Sequence, residues 1–189
     1  MSEMLDVASA DQWERWLDQN HDRVPEGVWL RTPKQSAPKP GVTWSDAVDV
    51  ALCFGWIDGQ AKKGDDDTRV IRFTPRRARS KWSKINTERV DRLVKEGRMR
   101  PAGMREVEAA KADGRWAAAY SPSSRATIPE DFLDELRKNK KAAKFFETLN
   151  KRNTFPVVYR LETAKTPATR AKRIAAMIEM FERGEKFFD

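Results

Sequence analysis

At 189 residues, with 39% hydrophobic and 35% charged residues, seven Trp and nine Phe, the chain can bury a core, which excludes wholesale disorder. A single cysteine excludes an internal disulfide and a thiolate zinc cluster, and no run of about 18 apolar residues is available for membrane insertion. The net charge of +8 is concentrated: residues 61–105 carry fifteen Lys/Arg against six Asp/Glu, whereas residues 1–60 carry five against ten.

The opening Met1-Ser2-Glu3-Met4-Leu5-Asp6 has no basic leader followed by an apolar stretch, so the expected compartment is the cytoplasm. Ser9 and Gln12 form a capping-box pattern ahead of Trp13, Trp16 and Leu17, predicting a helix near 10–20. Residues 27–32 read as a short strand, and the three prolines between Pro33 and Gly41 as a loop. Thr43 caps a second predicted helix over 44–54, with Trp44, Ala47, Val48, Ala51 and Leu52 on its apolar face and Gly55 as its left-handed stop. The sole cysteine, Cys53, lies on this helix and reads as a small buried hydrophobe.

Residues 56–62 and 68–74 then form a predicted β-hairpin around the polar turn Lys62 to Asp67. Strict alternation places Trp56, Asp58, Val70, Arg72 and Thr74 on one face and Ile57, Ile71 and Phe73 on the other, so that Asp58 and Arg72 stand side by side. Pro75 ends the strand and a basic connector follows; between Thr68 and Thr87 there are seven basic residues and no acidic one. Ser83 or Asn86 caps a helix carrying Val90, Leu93 and Val94 and stopping at Gly97, and another runs from Pro101 to Ala112. Ser121 to Ile128 reads as a linker. Beyond it lie helical patterns near 129–138, 140–150 and 167–183, with a fourth around 154–164 that begins near Pro156.

The fold class expected from this pattern is α+β: mostly helical, with a small antiparallel sheet built on the 56–74 hairpin and a C-terminal helical segment. Residues 1–120 are expected to form the α+β core, with residues 128–189 packed on it as one globular unit.

The densest chemistry lies between Ala51 and Asn86. Trp56 and Trp82 offer flat surfaces for a small anionic ligand, Arg72, Arg76 and Arg77 offer charge, and Ser80, Ser83 and Asn86 offer hydrogen bonds. Asp58 can orient an arginine or accept from a ligand. The structural alternative makes both tryptophans core, the arginines surface cations and Asp58–Arg72 an ion pair. The same basic stretch suits nucleic-acid contact, although no recognition motif accompanies it. A catalytic reading has only one histidine, His21, at a helix end, and the run Asp65-Asp66-Asp67, which reads as a turn rather than a cation loop. No cofactor or metal is expected. A protein partner could use Phe145, Phe146, Phe155, Met177, Met180, Phe181, Phe187 and Phe188.

The chain resembles the YdeI/OmpD-associated (bacteriocin-protection) family. The resemblance rests on Ala51-Leu52-Cys53-Phe54-Gly55-Trp56-Ile57-Asp58-Gly59, on Phe73-Thr74-Pro75-Arg76-Arg77 with Ser80-Lys81-Trp82-Ser83-Lys84-Ile85-Asn86, and on Gly97-Arg98-Met99 with Pro101-Ala102-Gly103. It continues through Ile128-Pro129, Phe145-Phe146, Ala164-Lys165 and Thr169 to Ile174, so that nearly the whole chain takes part. What the resemblance implies is protection against bacteriocins or cationic antimicrobial peptides and an association with an outer-membrane porin. It implies no reaction, cofactor or catalytic residue.

Overall fold

The computed structural model describes residues 4–36 and 40–189; the start of the chain and residues 37–39 of the expected proline loop lie outside the described residues. Among the described residues there are eight helices and four strands, an α+β fold. The chain separates into two compact units, residues 1–81 with 86–117, and residues 82–85 with 118–189.

In the first unit, β1 (Met4–Leu5) precedes α1 (Ala10–Asn20), where Ser9 Oγ accepts from Gln12 N and Gln12 Oε1 accepts from Ala8 N. β2 (Val28–Pro33) leads to α2 (Trp44–Cys53), capped by Thr43, and Gly55 takes the left-handed φ of +75° expected of it. β3 (Trp56–Lys63) and β4 (Thr68–Pro75) form the hairpin, whose turn is tied by Asp65 Oδ1 accepting from Asp67 N and Thr68 Oγ1. The sheet order is β1-β2-β4-β3. It is mixed, because the two-residue β1 pairs parallel to β2 while the other pairs are antiparallel. So short a strand leaves no period-two pattern to read.

The hairpin faces differ from the alternation expected above. Asp58 is opposite Phe73 and Trp56 opposite Pro75, whereas Arg72 is opposite Trp29. Directly opposed residues share a face, so Trp56 and Asp58 lie with Ile71 and Phe73, and Arg72 lies on the other side. A β-bulge between Asp58 and Ala61 shifts the register along β3.

The inner face packs on α1 and α2. Trp13, Leu17, Val28, Leu30, Phe73 and Ala47 are fully buried, and Trp13 stacks on Trp16 with ring centroids 5.3 Å apart. Trp44, expected on the apolar face of α2, is instead 46% exposed; it is the first helical residue, and its indole N–H donates to Asp58 Oδ2 at 3.1 Å. The buried polar position of α2 is Asp49. Arg89 donates to Asp49 Oδ1 at 2.5 Å and Arg92 to Asp49 Oδ2, joining α2 to α3 (Lys84–Lys95). α4 (Pro101–Ala112) packs its Gly103 against the end of α2.

The second unit contains α5 (Glu130–Arg137), α6 (Lys140–Phe146), α7 (Lys151–Glu162) and α8 (Pro167–Glu182). Phe132, Leu136, Ala142, Val157, Leu161, Ile174, Met177 and Phe181 form its core, with Phe145, Phe146, Met180 and Phe187 packed against it. Most of the apolar surface considered for a protein partner is therefore committed to packing. α7 starts five residues before Pro156, because Asn150 caps it by accepting from Asn153 N; the proline sits inside the helix. Arg170 donates twice to Asp131, clamping α8 to α5.

Three measurements check this packing. A Cβ added at Gly103 would lie 2.3 Å from Cys53 O and 2.6 Å from Leu52 O, so Gly103→Ala should lower stability by about 1–3 kcal/mol in urea titration. Burial pushes the Cys53 thiol up to about 11, so at pH 8 only on the order of one thiol in a thousand is ionised. Cys53 should resist dithionitrobenzoate in the native protein and react once urea unfolds it. Arg170, hydrogen-bonded to Asp131, holds that carboxyl below its ordinary 3.8. A carboxylate lowered on folding adds stability above its unfolded pKa and loses it as pH falls through the folded one. Asp131→Asn should therefore lower the urea midpoint at about pH 7, and the difference from wild type should shrink as pH falls below the ordinary carboxylate range.

Candidate functional site

Of the residues expected to form a site between Ala51 and Asn86, Trp56 faces the core, and Asp58 and Arg72 lie on opposite faces of the sheet. Trp56 is 1% exposed, its indole N–H donates to His21 O at 3.0 Å, and its ring meets Trp13 and Trp16 edge-on. It offers no open face to a ligand. Asp58 accepts from Trp44 and is parted from Arg72 by the sheet, so the expected Asp58–Arg72 juxtaposition is overturned. Arg72 instead donates to Glu26 O at 2.8 Å.

Arg76 is 7% exposed, and its Nη1 donates to Lys81 O at 3.3 Å and Ser80 Oγ at 3.5 Å. Arg76 and Ser80 are thus brought together, but as the inside of a loop: a buried guanidinium organises the connector that follows β4. Arg77 is exposed, and its carbonyl accepts from Ser80 N in the same turn. Asn86 lies in the first turn of α3. Trp82 and Ser83 belong to the second unit, both buried, with Ser83 bridged in parallel to Tyr120. His21 Nδ1 donates to Leu17 O at 2.9 Å, which ties the lone histidine to its helix end. Among the described residues no group of three His, Cys, Asp or Glu could hold a metal ion.

The second unit offers a better place. A cleft of about 600 Å³ is lined by Ser123, Lys151, Arg152, Phe155, Pro156, Tyr159, Arg160 and Phe188. Six of these residues come from α7, and the helical repeat explains why. Lys151, Phe155 and Tyr159 form one i, i+4 row and Arg152, Pro156 and Arg160 the adjacent one, so both rows share a face. The opposite side carries Asn153, Val157, Val158 and Leu161 into the core. Pro156 cannot donate to the Arg152 carbonyl four residues back, a loss that ordinarily costs a helix interior about 3 kcal/mol or more. At that position the helix presents an apolar ring to the cleft.

The rim is basic and its aromatic neighbours are fixed. No Asp or Glu side chain lies within ion-pair distance of Lys151, Arg152 or Arg160 among the described residues. Arg152 lies 5.0 Å from the Phe188 ring and donates to Asp189 O at 2.9 Å; Arg160 lies 4.7 Å from the Phe187 ring. Tyr159 packs edge-on against Tyr120 at 4.9 Å. Asn153, 4% exposed, holds the Phe188 backbone from both sides, its Nδ2 donating to Phe188 O at 3.0 Å and its Oδ1 accepting from Phe188 N at 2.8 Å. An apolar floor with cations at its edge suits an anion that carries a non-polar part.

In the sequence Phe155 and Phe188 stand out only as apolar surface, and no motif marks Lys151, Arg152, Tyr159 or Arg160. The signal that could have found them is the pair of i, i+4 rows, which becomes visible once the helix is started at Asn150.

No match to this chain is found among curated proteins or among solved structures. Two family models match. The one described as Bacteriocin-protection, YdeI or OmpD-Associated covers residues 125–184, which include all of α7 and six of the cleft residues. The likeness read along nearly the whole chain is thereby confined to its C-terminal part; the motifs between Ala51 and Gly103 lie under the other model. That model spans residues 5–106, more than half of the chain, and the protein belongs to its family, a domain of unknown function (DUF8412).

Proposed function

We propose that this is a non-catalytic stress-protection protein of the YdeI/OmpD-associated kind, and that it works by binding a small anionic ligand in the α7 cleft. The observation that carries the reading is the set of three cations, Lys151, Arg152 and Arg160, around a floor of Phe155, Pro156 and Tyr159, with no Asp or Glu side chain among the described residues in ion-pair contact with them. Cations beside apolar surface raise the local concentration of anions and reward one that also covers the floor. The second unit as a whole carries sixteen Lys/Arg against ten Asp/Glu, in keeping with an anionic rather than a cationic ligand. A cationic antimicrobial peptide would be repelled from this rim, so protection is proposed to depend on the anion and not on trapping the peptide here. Three cations on one helix face are also few for a polynucleotide track, whose binding would show a steep salt dependence.

The test is a thermal-shift screen of carboxylates, sugar phosphates, nucleotides and short oligonucleotides. It is run on the wild type and on the triple variant Lys151→Gln, Arg152→Gln, Arg160→Gln, with circular dichroism to verify its helicity. A small anion at a hundredfold excess over its Kd should raise the melting temperature by about 5–10 °C, and the triple variant should lose the shift. No shift from any small anion, or a shift of equal size in the variant, would overturn the proposal.

A further inference from the structure

Resting on that reading, we infer that the ligand class is an amphipathic carboxylate, with its head at Lys151 and Arg152 and an extended apolar body of roughly ten carbons along Phe155, Pro156 and Tyr159. The dimensions follow from the helix. From Lys151 to Arg160 is nine residues, about 13 Å of rise. That length matches an extended medium chain and exceeds what a compact anion such as phosphate or acetate could span. The lining between the two ends is hydrocarbon and aromatic: Phe155, Pro156 and Tyr159 from the helix, and Phe188 from the wall. A ligand made only of charge would leave that floor wet.

Two features make this a built cleft and not a chance exposure of rings. Phe188 is 46% exposed, yet its backbone is held from both sides by the buried Asn153, so an apolar ring is kept at the solvent edge by a polar clamp. Arg152 is ordered by Phe188 and Asp189 O. Its guanidinium therefore has less freedom to lose when a carboxylate arrives, and two parallel N–H groups fit that head. Lys151 stands at the first position of α7, where the helix dipole adds to its charge. Arg160, stacked on Phe187, closes the far end of the floor.

Isothermal titration with acetate, hexanoate, octanoate and decanoate, each below its micelle concentration, tests the inference on the full chain. Inorganic phosphate, decanol and decyltrimethylammonium serve as comparisons. Affinity should rise about twofold or more per methylene from hexanoate to decanoate. Decanol and the ammonium should each bind at least about tenfold more weakly than decanoate, the loss expected when a charged hydrogen-bonded head is removed. Phe188→Ala, at an exposed ring, should flatten the chain-length dependence, and Lys151→Gln with Arg152→Gln should weaken decanoate about tenfold while leaving that dependence in place. If phosphate or acetate binds as tightly as decanoate, the amphipathic class is overturned while the anion site of the preceding section stands. If no carboxylate binds while phosphate does, the amphipathic class alone falls; if decanoate and decyltrimethylammonium bind alike, or if neither phosphate nor any carboxylate binds, both fall.

Discussion

A buried indole N–H gains by finding an acceptor, and at Trp13 and Trp56 that preference shapes how the first unit is assembled. Trp13 donates to Ala47 O at 3.1 Å and Trp56 to His21 O at 3.0 Å, so each ring is fixed both by apolar contact and by one backbone carbonyl on another element. With Trp16 and Phe73 the two rings form a cluster of stacked and edge-on contacts that joins α1, the start of β3 and the middle of β4. Once Trp56 is turned inward, the pleat of β3 follows. Asp58 must share its face, and Arg72, on the neighbouring strand, must lie on the other.

That consequence shows where the sequence was legible. Element positions were largely readable, because caps and stops are local chemistry: Ser9, Thr43, Gly55, Gly97 and Pro101 each mark the boundary they were expected to mark. Strand facing was not. Period-two alternation sorts residues within one strand, but it does not say which set faces the core, nor how two strands with a bulge at Asp58/Ala61 are registered. Trp44 illustrates the same limit in a helix. Its spacing placed it with Ala47, Val48 and Ala51, yet at the first helical position its ring reaches Asp58 and Arg89 at the surface.

The basic connector from Arg76 onward is surface charge only in part, since Arg77, Arg79, Lys81 and Lys84 are exposed and Arg76 is buried. A run of cations in sequence suggests a patch on the surface, but Arg76 is folded over and donates to the carbonyl and hydroxyl of the residues that follow it. Arg89 and Arg92 are likewise taken up by the buried Asp49. Removing Asp49 would leave two cations against a largely apolar helix, which is the costly way to break a buried ion group. Charge density in the sequence therefore measures the supply of cations, and the pairing of each decides how many remain for a ligand. In the second unit Arg170, Arg137 and Lys138 are paired with acids on α5, whereas Lys151, Arg152 and Arg160 meet no Asp or Glu side chain among the described residues and Arg152 is turned to Asp189 O.

α7 explains why its cleft was hard to see and why it has the character it has. Proline is so effective a helix breaker that starting the helix at Pro156 is the natural reading, and that start separates Lys151 and Arg152 from Tyr159 and Arg160 by placing them in a loop. The Asn150 cap and the inward-facing Asn153, Val157 and Leu161 hold the helix through the proline, since packing along one face outweighs a single missing hydrogen bond. The face left over combines cations and rings at four-residue intervals. Asn153 serves both sides of this arrangement: it is buried with the core-facing residues, and its amide fixes Phe188 at the cleft wall. The core of the second unit and the shape of the cleft consequently depend on the same residue, so a change that loosens the wall cannot be made at Asn153 without also leaving a gap in the packing beneath it.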